Sequence, residues 1–265
     1  MYTTKSCCEV PAVVSNYSPV GTIENLDDLP VYAVGDKVRD MTSKIGEAND
    51  TEIILPVRAQ KKPFWSFMMS LGSSITNTKQ FCDVLAKQCG YLVVMPDWFR
   101  GKAITEDMLG DRESAMAWIR KVGTYEVLSP SIQRVKDYLV STGVEKTGIV
   151  GFCWGAKIAI QMSGKDNYYS AASLIHPSHF ALEDADAAQA PLLLIPSQND
   201  ADLTEFMERL SKQPFGDKCK HVRFDDVQHG FAAARGNWEE GSLDKKRATE
   251  AIQLTLDFFA EHVNV

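Results

Sequence analysis

The sequence predicts an α/β fold in which a mostly parallel central sheet is flanked by helices on both faces. From about Glu52 to the end of the chain, short apolar runs alternate with amphipathic stretches, which is typical of helices packed on a parallel sheet. The 265 residues are 45% hydrophobic and 24% charged, the composition of a globular chain with a substantial core. Chains of this class and length commonly form one domain, so we expect a single domain over residues 1–265.

Each element is predicted from a local pattern. Short apolar runs predict strands at residues 31–34, 52–56, 65–71, 91–95, 147–151, 172–176, 192–196 and 221–225. Amphipathic stretches predict helices at residues 77–88, 112–121, 131–141, 154–163, 203–212 and 243–262. Gly90, Gly143 and Gly164 stand where helix ends favour glycine. Residues 36–50 are polar and unpatterned, and we interpret them as a loop within the domain.

Charge and composition exclude several function classes. The net charge is −7 and no basic run occurs, which argues against a nucleic-acid partner. The amino terminus lacks the pattern of a signal peptide, and no apolar run reaches the roughly 18 residues of a membrane span. The six cysteines show no CxxC spacing, so reduced thiols are expected. We therefore expect a cytoplasmic protein without a membrane partner, either a monomer or a homodimer.

The strongest functional signal lies around Cys153. Gly151-x-Cys153-x-Gly155 follows a predicted strand and precedes a predicted helix, which is the pattern of a nucleophile held on a sharp turn. Such a turn places the sulfur at the amino end of a helix, where the dipole favours the thiolate. It also directs the backbone N–H of Trp154 towards an attacked carbonyl oxygen. The alternative interpretation is a buried cysteine in a glycine-rich turn, and the pentapeptide alone does not decide between them.

Two later residues complete a candidate catalytic triad. Asp200 follows the predicted strand 192–196, and His229 follows the strand 221–225. In a parallel sheet both would lie at the carboxyl edge, where open α/β sheets build their sites. Asp202 is the competing acid, and we prefer Asp200 because it is nearer the strand end. His176 ends another strand, and it either lines the pocket or is a buried histidine with satisfied hydrogen bonds.

The motifs resemble those of the dienelactone hydrolase (carboxymethylenebutenolidase-like) family. The resemblance is carried by Gly-Phe-Cys-Trp-Gly-Ala-Lys around Cys153, by His-Gly-Phe from His229, and by residues 21–32, 77–80 and 90–101. It extends over nearly the whole chain. It implies a single α/β-hydrolase domain and a Cys-Asp-His triad on Cys153, Asp200 and His229. It also implies hydrolysis of a small ester or lactone without a cofactor. The sequence contains no HExxH motif, so no metal is expected.

The resemblance exposes one departure and suggests further site residues. Family members carry a glutamate that helps to take the cysteine proton, and Met69 stands at that position. The backbone N–H of Ser70 would be the second oxyanion donor beside that of Trp154. Arg235 and, less well placed, Arg100 are candidate binders of an anionic substrate.

Two functional hypotheses follow. The first is a cysteine-dependent hydrolase of small esters or lactones, in which Cys153 forms an acyl-thioester intermediate. The second is a weakly active or inactive family member that binds a ligand or a partner, because Met69 cannot accept the thiol proton.

Overall fold

The strands of the described residues form one eight-stranded sheet. The structure, a computed structural model, describes residues 13–35, 64–68, 76–102 and 111–263. The strands are β1 (Thr22–Leu26), β2 (Leu29–Val34), β3 (Phe64–Met68), β4 (Val93–Pro96), β5 (Thr147–Cys153), β6 (Tyr169–Pro177), β7 (Leu192–Ile195) and β8 (Lys220–His221). Their spatial order is β1-β2-β4-β3-β5-β6-β7-β8. The pairs β1–β2 and β2–β4 are antiparallel and all other pairs are parallel, so the predicted mostly parallel sheet is confirmed.

Seven α-helices connect these strands within the same ranges. They are α1 (Thr76–Cys89), α2 (Arg112–Val122), α3 (Tyr125–Ser141), α4 (Gly155–Lys165), α5 (Leu182–Ala187), α6 (Thr204–Leu210) and α7 (Leu243–His262). No helix in the described part of the chain is both long and apolar enough to cross a bilayer.

The sheet separates two hydrophobic cores. Side chains of α3, α4, α5 and α6 pack on one face, and side chains of α1 and α7 pack on the other. Successive strand residues point to opposite faces, so that Ile149 of β5 belongs to the first core and Val150 to the second. Leu192 and Leu193 of β7 divide in the same way. The predicted arrangement of helices on both faces is confirmed.

The helix predicted at 131–141 begins earlier than expected. Proline has no N–H with which to continue the helical ladder. In the structure α3 begins at Tyr125 and contains Pro130. The hydroxyl of Ser129 donates to the carbonyl of Glu126 at 3.0 Å, which is the carbonyl that a residue at position 130 would normally reach. A local side-chain hydrogen bond therefore compensates for the missing donor.

Other boundaries also differ from the predictions. The strand predicted at 221–225 is only Lys220–His221, followed by an isolated bridge between Ser197 and Phe224. Helix α5 was not predicted, since Leu182–Ala187 is short and acidic and lacks a helical apolar repeat. The strand predicted at 52–56, the loop at 36–50 and the last three residues of the strand at 65–71 lie outside the described residues.

The topology brings the candidate residues to one edge of the sheet. Cys153 is the last residue of β5 and His176 lies at the carboxyl end of β6. Asp200 follows β7 and His229 follows β8. Because these four strands are parallel neighbours, all four residues lie at the same edge.

Candidate active site

Cys153 occupies a strained turn between β5 and α4. Its φ angle is 52°, in the left-handed region that non-glycine residues seldom adopt. The turn requires glycine at position 151, because a Cβ there would lie 2.6 Å from the carbonyl oxygen of Gly155 and 2.8 Å from Cα of Ala156. Cys153 is 6% exposed, and α4 begins two residues later. The nucleophile candidate therefore lies at the amino end of a helix, whose dipole favours a thiolate.

Trp154 provides a backbone donor beside the sulfur. It directly precedes α4 and has helical φ and ψ angles of −57° and −34°. The first N–H groups of a helix have no acceptor within the helix, so this N–H is suited to an oxyanion. Ser70, the other predicted donor, and Met69 lie outside the described residues.

His229 and Asp200 form a buried pair. His229 Nδ1 lies 2.6 Å from Asp200 Oδ1, and each side chain is 1% exposed. The other carboxylate oxygen, Oδ2, accepts hydrogen bonds from the Ser197 N–H at 2.7 Å and the Ser197 hydroxyl at 2.8 Å. These contacts fix the carboxylate, and the carboxylate in turn fixes the orientation of the imidazole.

The surroundings of His229 favour its charged form. Burial alone would lower its pKa, since desolvation disfavours the imidazolium. The electrostatic attraction of a thiolate at Cys153, together with the hydrogen bond and the negative charge of Asp200, acts in the opposite direction and raises the pKa to about 9. The imidazole thus interacts with both the candidate nucleophile and the candidate acid.

The structure places the competing acid elsewhere. Asp202 is exposed, and its carboxylate accepts hydrogen bonds from the N–H of Thr204 at 2.9 Å and from the hydroxyl of Thr204 at 2.7 Å. These bonds lower the pKa of Asp202 and place its side chain at the start of α6. Of the two aspartates, Asp200 is the one that contacts His229.

His176 lies against His229 as a neutral imidazole. It is 1% exposed, and its ring centroid is 4.9 Å from that of His229. Phe152 and Phe231 pack against the same ring at 5.5 Å and 5.6 Å. Burial, followed by repulsion from charged His229, lowers its pKa to about 3. The expected burial of His176 is confirmed, and neither ring nitrogen has a hydrogen-bond partner in another described residue.

The loop after β6 contributes two residues that the sequence analysis missed. The Ser178 hydroxyl lies 3.5 Å from the Cys153 sulfur and 2.5 Å from His179 Nδ1. The only signal for them in the sequence is their position just beyond a strand that neighbours β5.

The two arginines are placed differently. Arg235 is buried, and the stem of its side chain covers Gly230, with Cβ, Cγ and Cδ 3.0–3.2 Å from where a Cβ would stand. It is therefore close to His229. The guanidinium of Arg100 instead contacts Asp28 at 2.5 Å and Ser131 at 3.1 Å, which holds it against the β1–β2 turn and α3.

The chain is similar in sequence and in fold to known proteins. A model of the dienelactone hydrolase family matches residues 66–263. Dienlactone hydrolase 1 of Gibberella moniliformis is 28% identical over 170 residues, which span 59% of this chain and 63% of that protein. An uncharacterized AIM2 family protein of Schizosaccharomyces pombe is 27% identical over 268 residues, 96% of this chain and 98% of the relative. A putative dienelactone hydrolase from Klebsiella pneumoniae superposes with a TM-score of 0.63 at 17% identity, covering 98% of this chain and 97% of that one.

The turn at Cys153 predicts a steric effect of Gly151→Ala. Its methyl group would meet backbone atoms of Gly155 and Ala156, which cannot rotate away, so we expect the free energy of unfolding to fall by about 2 to 3 kcal/mol. Urea denaturation measures this loss. Gly101→Ala is the control, because no described atom lies within 4 Å of its Cβ position and only its φ of 75° opposes alanine. That control should lose about 1 kcal/mol, and equal losses in both variants would contradict the steric argument.

The burial of His176 predicts a loss of stability in acid. Its pKa is about 3 in the folded chain and 6.5 when exposed, so between these values the unfolded chain binds more protons. The contribution of neutral His176 to the free energy of unfolding is therefore fully present above pH 6.5 and is lost as the pH falls towards 3. We expect the free energy of unfolding of the wild type to decline more steeply over this range than that of His176→Leu. The free energies of unfolding of both proteins are measured by denaturation at several pH values. If they decline with equal slope, His176 is not the buried neutral group.

Proposed function

Since the chain belongs to the dienelactone hydrolase family, we propose that it hydrolyses small esters or lactones through a Cys153-His229-Asp200 triad. One observation carries the proposal. A cysteine in a left-handed turn at the end of β5 lies at the same edge of the sheet as an imidazole that is held by a buried carboxylate. These are the groups that covalent acyl transfer needs, namely a nucleophile, a base and a residue that orients the base.

In the proposed first step the Cys153 thiolate attacks the carbonyl carbon of the substrate. The carbonyl oxygen becomes an oxyanion, which accepts hydrogen bonds from the N–H groups of Trp154 and, as the family resemblance implies, Ser70. The ester C–O bond then breaks, and the His229 imidazolium gives its proton to the leaving oxygen. The acyl group is left on sulfur as a thioester.

In the second step water replaces the sulfur. His229, now neutral, takes a proton from the water as it attacks the thioester carbon. The C–S bond breaks, the carboxylic acid leaves, and the thiolate and imidazolium are restored. Asp200 holds Nδ1 throughout, which leaves Nε2 to transfer protons. The cycle requires no cofactor.

Sulfur chemistry favours esters and lactones over amides. A thiolate leaves easily from a tetrahedral adduct, so productive collapse needs a competing group that leaves equally well. An alkoxide or enolate meets this need better than an amine. Buried Arg235, whose stem covers Gly230 beside His229, is the residue we propose for binding a substrate carboxylate, whereas Arg100 is engaged with Asp28.

Substitution of the triad tests the proposal. Cys153→Ala should abolish turnover of a small aryl ester or lactone, and His229→Gln and Asp200→Asn should each lower kcat/KM by about a thousandfold. Asp202→Asn is the matched control, because this exposed aspartate contacts Thr204 instead of His229; its activity should equal that of the wild type. Acid quenching during turnover followed by mass spectrometry should find the acyl group on Cys153.

The same experiment separates the two hypotheses. Full turnover by Cys153→Ala would refute the cysteine mechanism. If the wild type binds members of a panel of lactones and aryl esters but hydrolyses none of them, the second hypothesis, that the chain is a ligand-binding protein, is supported. Met69→Glu, assayed in parallel, should then gain turnover if the methionine is the cause.

A further inference from the structure

The Cys153 sulfur has a hydrogen-bonding neighbour that the proposed mechanism does not use. The Ser178 hydroxyl lies 3.5 Å from Cys153 Sγ, and His179 Nδ1 lies 2.5 Å beyond it. Ser178 is 1% exposed and His179 is 8% exposed. Three polar groups thus form a chain that starts at the candidate nucleophile, in a region with little access to water.

The backbone fixes Ser178 opposite the nucleophile. The Ser178 N–H donates to the carbonyl of Cys153 at 3.0 Å, and Cys153 pairs with Pro177 across β5 and β6. His176 and His179 have φ angles of 39° and 67°, so two residues of this short segment adopt the left-handed region. Such conformations persist where the surrounding structure enforces them, and they cluster at functional sites.

We propose that Ser178 is a second hydrogen-bond donor to the Cys153 thiolate and that His179 is a positioning residue that directs the Ser178 hydroxyl. We refer to the two as the Ser178–His179 relay. The inference rests on the proposed function, because it assigns the relay to Cys153 as nucleophile.

The direction of the hydrogen bonds depends on where the protons lie. A serine hydroxyl has one proton to donate and can accept others. When His179 Nδ1 carries no proton, Ser178 donates to Nδ1 and the thiol S–H donates to the Ser178 oxygen. When Nδ1 carries a proton, it donates to the Ser178 oxygen, and the Ser178 proton points to the sulfur. The protonation of His179 therefore determines whether the hydrogen bonds stabilise the Cys153 thiol or the Cys153 thiolate.

The two arrangements interconvert without loss of atoms or charge. The S–H proton moves to the Ser178 oxygen as the original Ser178 proton moves to His179 Nδ1. One S–H bond and one O–H bond break, and one O–H bond and one N–H bond form. The products are a thiolate, an intact serine and an imidazolium.

A buried thiolate needs such a donor. An anion that loses water is costly unless charges and hydrogen bonds compensate for the loss. His229 supplies a positive charge, and Asp200 acts on the sulfur through its bond to His229. Ser178 places a hydroxyl donor within reach of the sulfur.

The pH profile of Cys153 alkylation in the intact chain tests the relay. Iodoacetamide labelling is followed by mass spectrometry of the peptide that contains Cys153, which separates it from the other cysteines. In Ser178→Ala we expect the apparent pKa of Cys153 to rise by about one unit, so that alkylation at pH values below this pKa slows about tenfold. Ser178→Thr keeps the hydroxyl and should restore the wild-type profile.

Variants of His179 test the positioning role without altering Ser178. His179→Asn keeps a polar group near the position of Nδ1 and tolerates a left-handed φ, so its profile should lie between those of the wild type and His179→Ala. A merely structural role would change stability in these variants but would not shift the alkylation profile. An unshifted alkylation profile in His179→Ala would overturn the positioning role. This test remains available if Ser178→Ala fails to fold.

Ser173→Ala is the matched control. Ser173 is a buried serine on β6, and its hydroxyl pairs with that of Thr255 at 2.8 Å, away from the sulfur. Its profile should match that of the wild type. An unchanged profile in Ser178→Ala, or an equal shift in both alanine variants, would overturn the relay. Ester turnover by Cys153→Ala, measured in the same series, distinguishes failure of the proposed function from failure of the relay. Full turnover by Cys153→Ala refutes the proposed function. If Cys153→Ala loses turnover and the Ser178→Ala alkylation profile is unshifted, only the relay is refuted.

Discussion

The close approach of α4 to β5 is the constraint on which the site depends. With only hydrogen at position 151, the carbonyl of Gly155 and Cα of Ala156 come close enough that any side chain would overlap them. The chain can then reverse direction within a few residues, and Cys153 takes a φ of 52° at the tip. The packing of the helix on the sheet stabilises a conformation that the cysteine would not adopt alone. The sulfur is consequently held beside the free N–H groups of a helix start.

The same geometry determines which residues surround the sulfur. Parallel strands end at one edge, so each neighbour of β5 delivers its following loop to the site. β6 delivers His176 and Ser178, while the segments after β7 and β8 deliver Asp200 and His229. Because the groups are buried, water contributes little to their solvation, and their charges must be compensated by one another. The contacts of Ser197 with Asp200 are part of this compensation, although Ser197 has no part in the proposed chemistry.

The sequence predicts the sheet and the groups at its edge because both depend on local patterns. Apolar runs and a glycine-flanked cysteine are visible without coordinates, and strand ends place Asp200 and His229 approximately. No local pattern decides between Asp200 and Asp202, since the choice depends on the hydrogen bonds from Ser197 to the Asp200 carboxylate. Ser178 and His179 depend on the register between β5 and β6 and on two left-handed residues, and no spacing rule encodes either. Helix α3 begins early for a comparable reason, namely one hydroxyl that compensates for Pro130.

Histidines at one edge of the sheet differ in protonation because their neighbours differ. His229 has a carboxylate on one side and a sulfur on the other, and these raise its pKa despite burial. His176 packs between Phe152 and Phe231 and has no such partner in another described residue, so burial keeps it neutral. If both rings were charged at a centroid separation of 4.9 Å, their repulsion would oppose the imidazolium beside the nucleophile. The apolar surroundings of His176 thus help to leave the single positive charge of the pair on His229, the imidazole that interacts with the sulfur.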